Sequence, residues 1–281
     1  MNLYRVAAMG AVSAAVLAVP ASASHSWGDY HWATTGNGLS VRVNSAITSQ
    51  WATAVNGAVA DWEKSNVLSL GNRNPVAVDP KKCSPIAGQV LVCNASYGQR
   101  GWLGIANIWL SGGHISQATT RLNDSYFSQA RYNTAAWRAF VACQELGHDF
   151  GLDHVDEAFD NANAGTCMDY TNDPDGGGAY GVSNEHPNSH DMSMLSSIYS
   201  HDDGRTSAST STNFGIRQVG KAAPDGPPSA PAGDSPAAWG RAIHADGLGR
   251  PDVFVKELGG GHKLVTHVFW ALETKRSGIV D

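Results

Sequence analysis

The eleven residues Gln144-Glu145-Leu146-Gly147-His148-Asp149-Phe150-Gly151-Leu152-Asp153-His154 constrain this chain more than any other stretch. The residues before them predict a helix that begins near Thr134, a suitable N-cap, and stops at Gly151. On that helix Gln144 and His148 stand four residues apart and share a face, so both side chains can reach one metal ion. Glu145 is offset by about 100°, where a carboxylate holds a metal-bound water rather than the metal. Gly151 can adopt the left-handed conformation that turns the chain sharply, which returns His154 towards the same point. Three ligands with one open position describe a catalytic zinc site, not a closed structural one.

Two later segments extend the pattern: Gly165-Thr166-Cys167-Met168-Asp169-Tyr170, and an expected helix over about 188–199 that carries His190, Asp191 and Leu195. The first stretch resembles the H-E-x-x-H-x-x-G-x-x-H signature of metzincin metalloproteases. Residues 165–170 resemble their Met-turn, and the later helix resembles the C-terminal helix of matrixin-like catalytic domains. Residues about 25–203 fit that plan, in the manner of a secreted bacterial branch. The resemblance implies an α+β domain with a mixed twisted sheet, a long active-site helix and a bound Zn2+. It also implies a peptide or protein substrate, cut by metal-activated water with Glu145 as general base. Tyr170 matches an M-x-Y arrangement in which a tyrosine stabilises the oxyanion; the competing reading is a core tyrosine. His114–Asn123 matches the family's antiparallel edge strand, which would take up extended peptide by strand addition.

One position departs from the family. Gln144 stands where the first ligand histidine belongs, and a neutral amide oxygen is a poorer zinc donor than imidazole. Three arrangements follow: metal held weakly by Gln144, His148 and His154; a shell completed by Tyr170 or by an upstream histidine such as His114; or an empty site. The last would make the protein a catalytically inactive, secreted peptide-binding module. Cys143 precedes Gln144 and Cys167 precedes Met168, so a bridge between them would tie the ligand helix to the Met-turn; the alternative is two buried thiols. Asp173 and Asp175, in a glycine-rich loop, are candidates for Ca2+ or for a merely solvated loop.

Composition bounds these readings. Lys+Arg is 19 against Asp+Glu 25, which argues against a nucleic-acid partner. The chain has no long apolar run after its N-terminus, so no membrane span is expected; a monomer is. From Ala139 to Gly204 there are thirteen acids, no Lys or Arg and five of the eleven histidines, a mixture that favours a cation site. Arg5, the apolar stretch Val6–Val19 and Ala21-Ser22-Ala23 read as a signal peptide over residues 1–23, hence secretion. Four cysteines suit an oxidising compartment. Cys83 and Cys93 flank a turn and are placed to staple a hairpin.

The expected domains are a metalloprotease-like unit over 24–203, a Ser/Ala/Gly/Pro-rich linker over 204–236, and a small β-hairpin appendage over 237–281 that, being marginal alone, should dock onto the main domain or a partner. Strands are expected at Gly38–Asn44, Pro75–Asp79, Val90–Asn94, Gly104–Leu110 and, as an edge, His114–Asn123. The spacing of Trp51, Val55, Val59 and Trp62 predicts an amphipathic helix.

Overall fold

The computed structural model describes residues 25–71, 75–178, 180–209 and 232–274. The expected signal peptide lies outside the described residues, as does 210–231 of the expected linker. The fold is α+β. In chain order the elements are β1 (His31–Trp32), β2 (Leu39–Ser40), β3 (Val43–Ala46), α1 (Ser49–Trp62), β4 (Leu68–Ser69), β5 (Val90–Ala95), β6 (Trp102–Ser111) and β7 (His114–Asn123). There follow α2 (Asp124–Phe127), α3 (Ala135–Asp149), α4 (Ser189–Ile198), α5 (Pro236–Trp239), β8 (Arg241–Ala245), β9 (Pro251–Gly259) and β10 (His262–Trp270).

One mixed sheet runs β3-β5-β7-β6-β10-β9-β8, with β1 beside the start of β7. β3, β5 and β7 are parallel, so β3 and β5 need a crossover, and α1 supplies it. From β7 outward every pairing is antiparallel. The stripe of α1 is core, as its period predicts: Trp51, Val55, Val59 and Trp62 are buried. Helices α1 and α3 pack together on one face of the sheet, where the Trp62 indole donates to the Cys143 carbonyl at 3.0 Å. Thr134 caps α3, its hydroxyl accepting from Trp137 N–H. Asn188 and Asp191 close a reciprocal cap on α4.

Three expectations need correction. His114–Asn123 is not an edge: β7 lies between β5 and β6. Its alternating polar residues are buried rather than solvated, because other segments satisfy them. Arg121 donates to Asn107 Oδ1 and to the carbonyls of Ala232 and Gly233, and Asn123 donates to the carbonyls of Gly98 and Trp102. Pro75–Asp79 forms only a single bridge, Ser45 to Pro75, and Gly38–Asn44 is divided between two sheets. The C-terminal β9 and β10 form the expected hairpin, and it docks by joining the main sheet. β10 pairs with β6 along its length, from His262 opposite Ser111 to Trp270 opposite Trp102, and Val253, Val265 and Phe269 belong to the main core. A two-stranded hairpin is marginal alone, and the unpaired edge of β6 offers it ten residues to pair with.

Candidate metal centre

Helix α3 delivers Gln144, Glu145 and His148, all buried. Its end is set by Gly151 at φ 93°, a left-handed conformation that costs glycine nothing. The turn lets the Leu152 carbonyl approach His148 Nδ1 to 2.8 Å. A carbonyl only accepts, so Nδ1 carries the proton and Nε2 presents a lone pair. His154 follows the turn, its ring edge-on to His148 with centroids 4.8 Å apart. Residues 25–27 cross over this corner: Asp153 N–H donates to the His25 carbonyl at 2.6 Å, and the Trp27 ring lies 5.4 Å from that of His148.

The third imidazole comes from β10. In a strand, alternate residues share a face. Val265 and Phe269 face the helices while Val268 and Trp270 face a second cluster, so His267 is carried to the helix side. Its ring lies 3.9 Å from His148 and 4.7 Å from His154. One ligand nitrogen from each of His148, His154 and His267 lies within 4.8 Å of the others. All three residues are buried, and none of the three Nε2 atoms has a protein partner among the described residues. An orphaned buried acceptor costs about 1–3 kcal/mol, so three that converge fit a cation. Burial first, then the neighbouring histidines, hold His148 and His267 well below the usual imidazole range. Neutral imidazole is the metal-binding form.

Gln144 plays a mixed part. Its amide nitrogen donates to the carbonyls of Cys167 at 2.8 Å and Asp169 at 3.1 Å, tying α3 to the turn at Met168. Its oxygen is buried without a protein partner among the described residues and remains free to face an ion. The Cys143–Cys167 disulfide reinforces the same joint, and Cys83–Cys93 forms the second bridge. Met168 lies beneath α3 so closely that a Cβ on Gly147 would sit 2.5 Å from its sulfur.

Glu145 Oε2 lies 3.5 Å from His267 Nδ1. Burial, then the charge of Asp149, push its carboxyl well above the usual range, against a hydrogen bond from the Ala106 backbone. It fits because residue 104 is glycine: a Cβ there would lie 2.8 Å from Glu145 Oε1. Tyr170 packs its ring 4.2 Å from His154, and its hydroxyl donates to Asp252 Oδ2 at 3.2 Å. Asp252 Oδ1 is paired with His244 Nδ1 at 2.8 Å. His114 stands elsewhere, with His31 and Asp203. Asp173 accepts from Asn163, and neither Asp173 nor Asp175 belongs to a three-ligand group among the described residues.

Sequence reasoning thus missed His267. The available signal was its place as the one ionisable residue within the apolar run Leu264–Leu272, on the same parity as Val265 and Phe269. No protein-family model matches the sequence, and no curated protein matches it.

Proposed function

We propose that this chain is a secreted zinc endopeptidase similar to the metzincins, with its metal held by His148, His154 and His267. The observation that carries this reading is the convergence of three unpartnered imidazole nitrogens beside Glu145, on a helix seated over Met168. A bound zinc ion would supply a Lewis acid and a water of lowered pKa. Glu145, placed beside the converging imidazoles, accepts the proton of the attacking water and passes it to the leaving amine. Gln144 fixes the spacing between α3 and the turn below it. Tyr170, held by Asp252, orients the ring that backs His154.

The same geometry favours a latent state. A peptide adding as a strand beside α3 would need the side of β6 that β10 already occupies, and Glu145 is fully buried. Cleavage therefore requires β10 to give up its place on β6, which takes His267 from the ion and leaves His148, His154 and the Gln144 oxygen to hold it more weakly. This closure also favours a second reading, an inactive metzincin-like scaffold in which the ion only staples β10 to α3. Zinc-loaded protein, intact and nicked at a protease site introduced within 210–231, should be offered a mixture of extended peptides beside Glu145→Gln. Hydrolysis that rises on nicking and vanishes with Glu145→Gln supports the peptidase. Stoichiometric zinc without hydrolysis in either form assigns the second reading, and failure to bind zinc overturns both.

A further inference from the structure

A second set of histidines meets around one oxygen. His31 on β1 and His114 on β7 are register partners, while His201 and Asp203 follow α4. Asp203 Oδ1 lies 3.1 Å from His114 Nε2, 3.1 Å from His201 Nε2 and 3.4 Å from His31 Nε2. The His31 and His201 nitrogens are themselves 3.1 Å apart. Asp203 is held for this role: Thr34 N–H donates to Oδ2 at 2.8 Å, and Asp203 N–H donates back to the Thr34 carbonyl at 2.9 Å. Oδ1 is left facing the rings.

Protons alone cannot satisfy this arrangement. His31 Nε2, His201 Nε2 and Asp203 Oδ1 form a triangle of short contacts, and each contact needs one donor and one acceptor. An ionised carboxylate oxygen only accepts. If both nitrogens donate to it, two N–H groups face each other across 3.1 Å. If either nitrogen accepts instead, its lone pair faces the carboxylate. Every assignment leaves one repulsive pair. His31 adds a further constraint, because its Nδ1 is 2.8 Å from the Asp29 carbonyl and must donate, so the neutral ring has a bare Nε2. A cation at the centre removes the conflict, since every atom then presents a lone pair to it. The spacing of the triangle agrees: its contacts of 3.1, 3.1 and 3.4 Å match the roughly 3.3 Å between ligands at about 2.0 Å on a tetrahedron. His114 Nε2, also 3.1 Å from Asp203 Oδ1, completes the shell by moving towards His201.

We propose that His31, His114, His201 and Asp203 form a second metal site that binds zinc in a closed four-ligand shell, independent of the first. Three imidazoles and one carboxylate suit Zn2+ better than the oxygen-seeking Ca2+ or Mg2+. With no open position, the ion would act as a structural clasp. It joins the strand β1, the start of β7 and the segment after α4. One contact opposes it. Arg205 donates to His114 Nδ1 at 2.8 Å, which places the neutral ring's proton on Nε2. Arg205 is exposed and swings away when the ion binds.

Metal-free full-length protein should be titrated with Zn2+ alone, with metal content measured after dialysis. Wild type should hold two ions, His148→Ala/His154→Ala one, and His201→Ala/Asp203→Ala one. His201 is exposed, so the fold should survive its removal, as circular dichroism would verify. Loss of a direct ligand should weaken this site at least as much as the roughly 100-fold upper cost of losing an outer-shell partner. Co2+ added to His148→Ala/His154→Ala should give the intense visible bands of a tetrahedral site, and His201→Ala should abolish them. Arg205→Ala, which keeps every ligand, should tighten the site. A His148→Ala/His154→Ala variant that binds no ion, a His201→Ala/Asp203→Ala variant that holds as many ions as wild type, or an Arg205→Ala variant with no tighter site would each overturn the proposal.

Discussion

Replacing His267 with alanine separates two ligand sets, Gln144/His148/His154 and His148/His154/His267. The side chain is fully buried and lies in ring contact with both other histidines, so truncation removes one of three converging donors. At free zinc about 100 times the wild-type Kd, binding stabilises the folded state by about 2.7 kcal/mol. A 100-fold weaker site would leave about 0.4 kcal/mol under the same conditions. The difference, about 2.3 kcal/mol, corresponds to a shift of about 5–9 °C in Tm for a chain of this size. Thermal unfolding should be followed in buffered zinc and in excess chelator for wild type, His267→Ala and Gln144→Ala. Subtracting the chelated Tm removes the cost of the cavity, leaving only the zinc-dependent increment. That increment should nearly vanish in His267→Ala and shrink less in Gln144→Ala, whose oxygen is the weaker donor. An undiminished increment in His267→Ala, together with its loss in Gln144→Ala, would refute the assignment of β10 as ligand donor.

Three other outcomes are expected. Removing the Cys143–Cys167 bridge, with sequence separation 24, should cost about 3.5 kcal/mol by loop-closure entropy, and removing Cys83–Cys93, with separation 10, about 2.7 kcal/mol. Urea unfolding of the paired alanine variants checks the order of these costs as well as their size. Gly104→Ala should destabilise by about 1–3 kcal/mol through overpacking against Val141 and Glu145, and should depress any Glu145-dependent hydrolysis beyond the loss of folded protein. The hydrogen bond to Asp252, opposed by partial burial, raises the pKa of His244 to about 9. A raised histidine stabilises fully below its unfolded value of about 6.5, and that contribution is lost as pH rises through the folded value. Urea midpoints should therefore fall between about pH 6.5 and 9, by an amount damped by solvent at this half-exposed ring. His244→Gln should flatten that slope.

The parts of this molecule legible in sequence are those set by short-range rules. Thr134 and Gly151 bracket α3 because capping and left-handed turns are local events, and the stripe of α1 follows from helical period. Both disulfides were legible too, one from a turn and one from the motif resemblance. What escaped was long-range. The polarity of β7 reads as a solvated face until Arg121 and Asn123 are seen bonded to segments brought in from elsewhere. His267 carries no motif of its own. It becomes a candidate ligand only when β10 is registered against β6 with His267 opposite Ala106, and no local pattern states that pairing. Gln144 reads as a weakened ligand, whereas its amide nitrogen serves the backbone at Cys167 and Asp169.

The path of β10 also bears on the order of folding. Glu145 and His267 are 122 residues apart in the chain, so the centre cannot assemble until its slowest and most distant contact has formed. Before that moment His148 and His154 offer only two imidazoles, a chelate too poor to compete for scarce zinc. In the proposed centre, tight capture of an ion and closure of the sheet would therefore be a single event. An ion held as proposed would report that the polypeptide has finished folding, because an unfinished chain would offer it only a weak partial site.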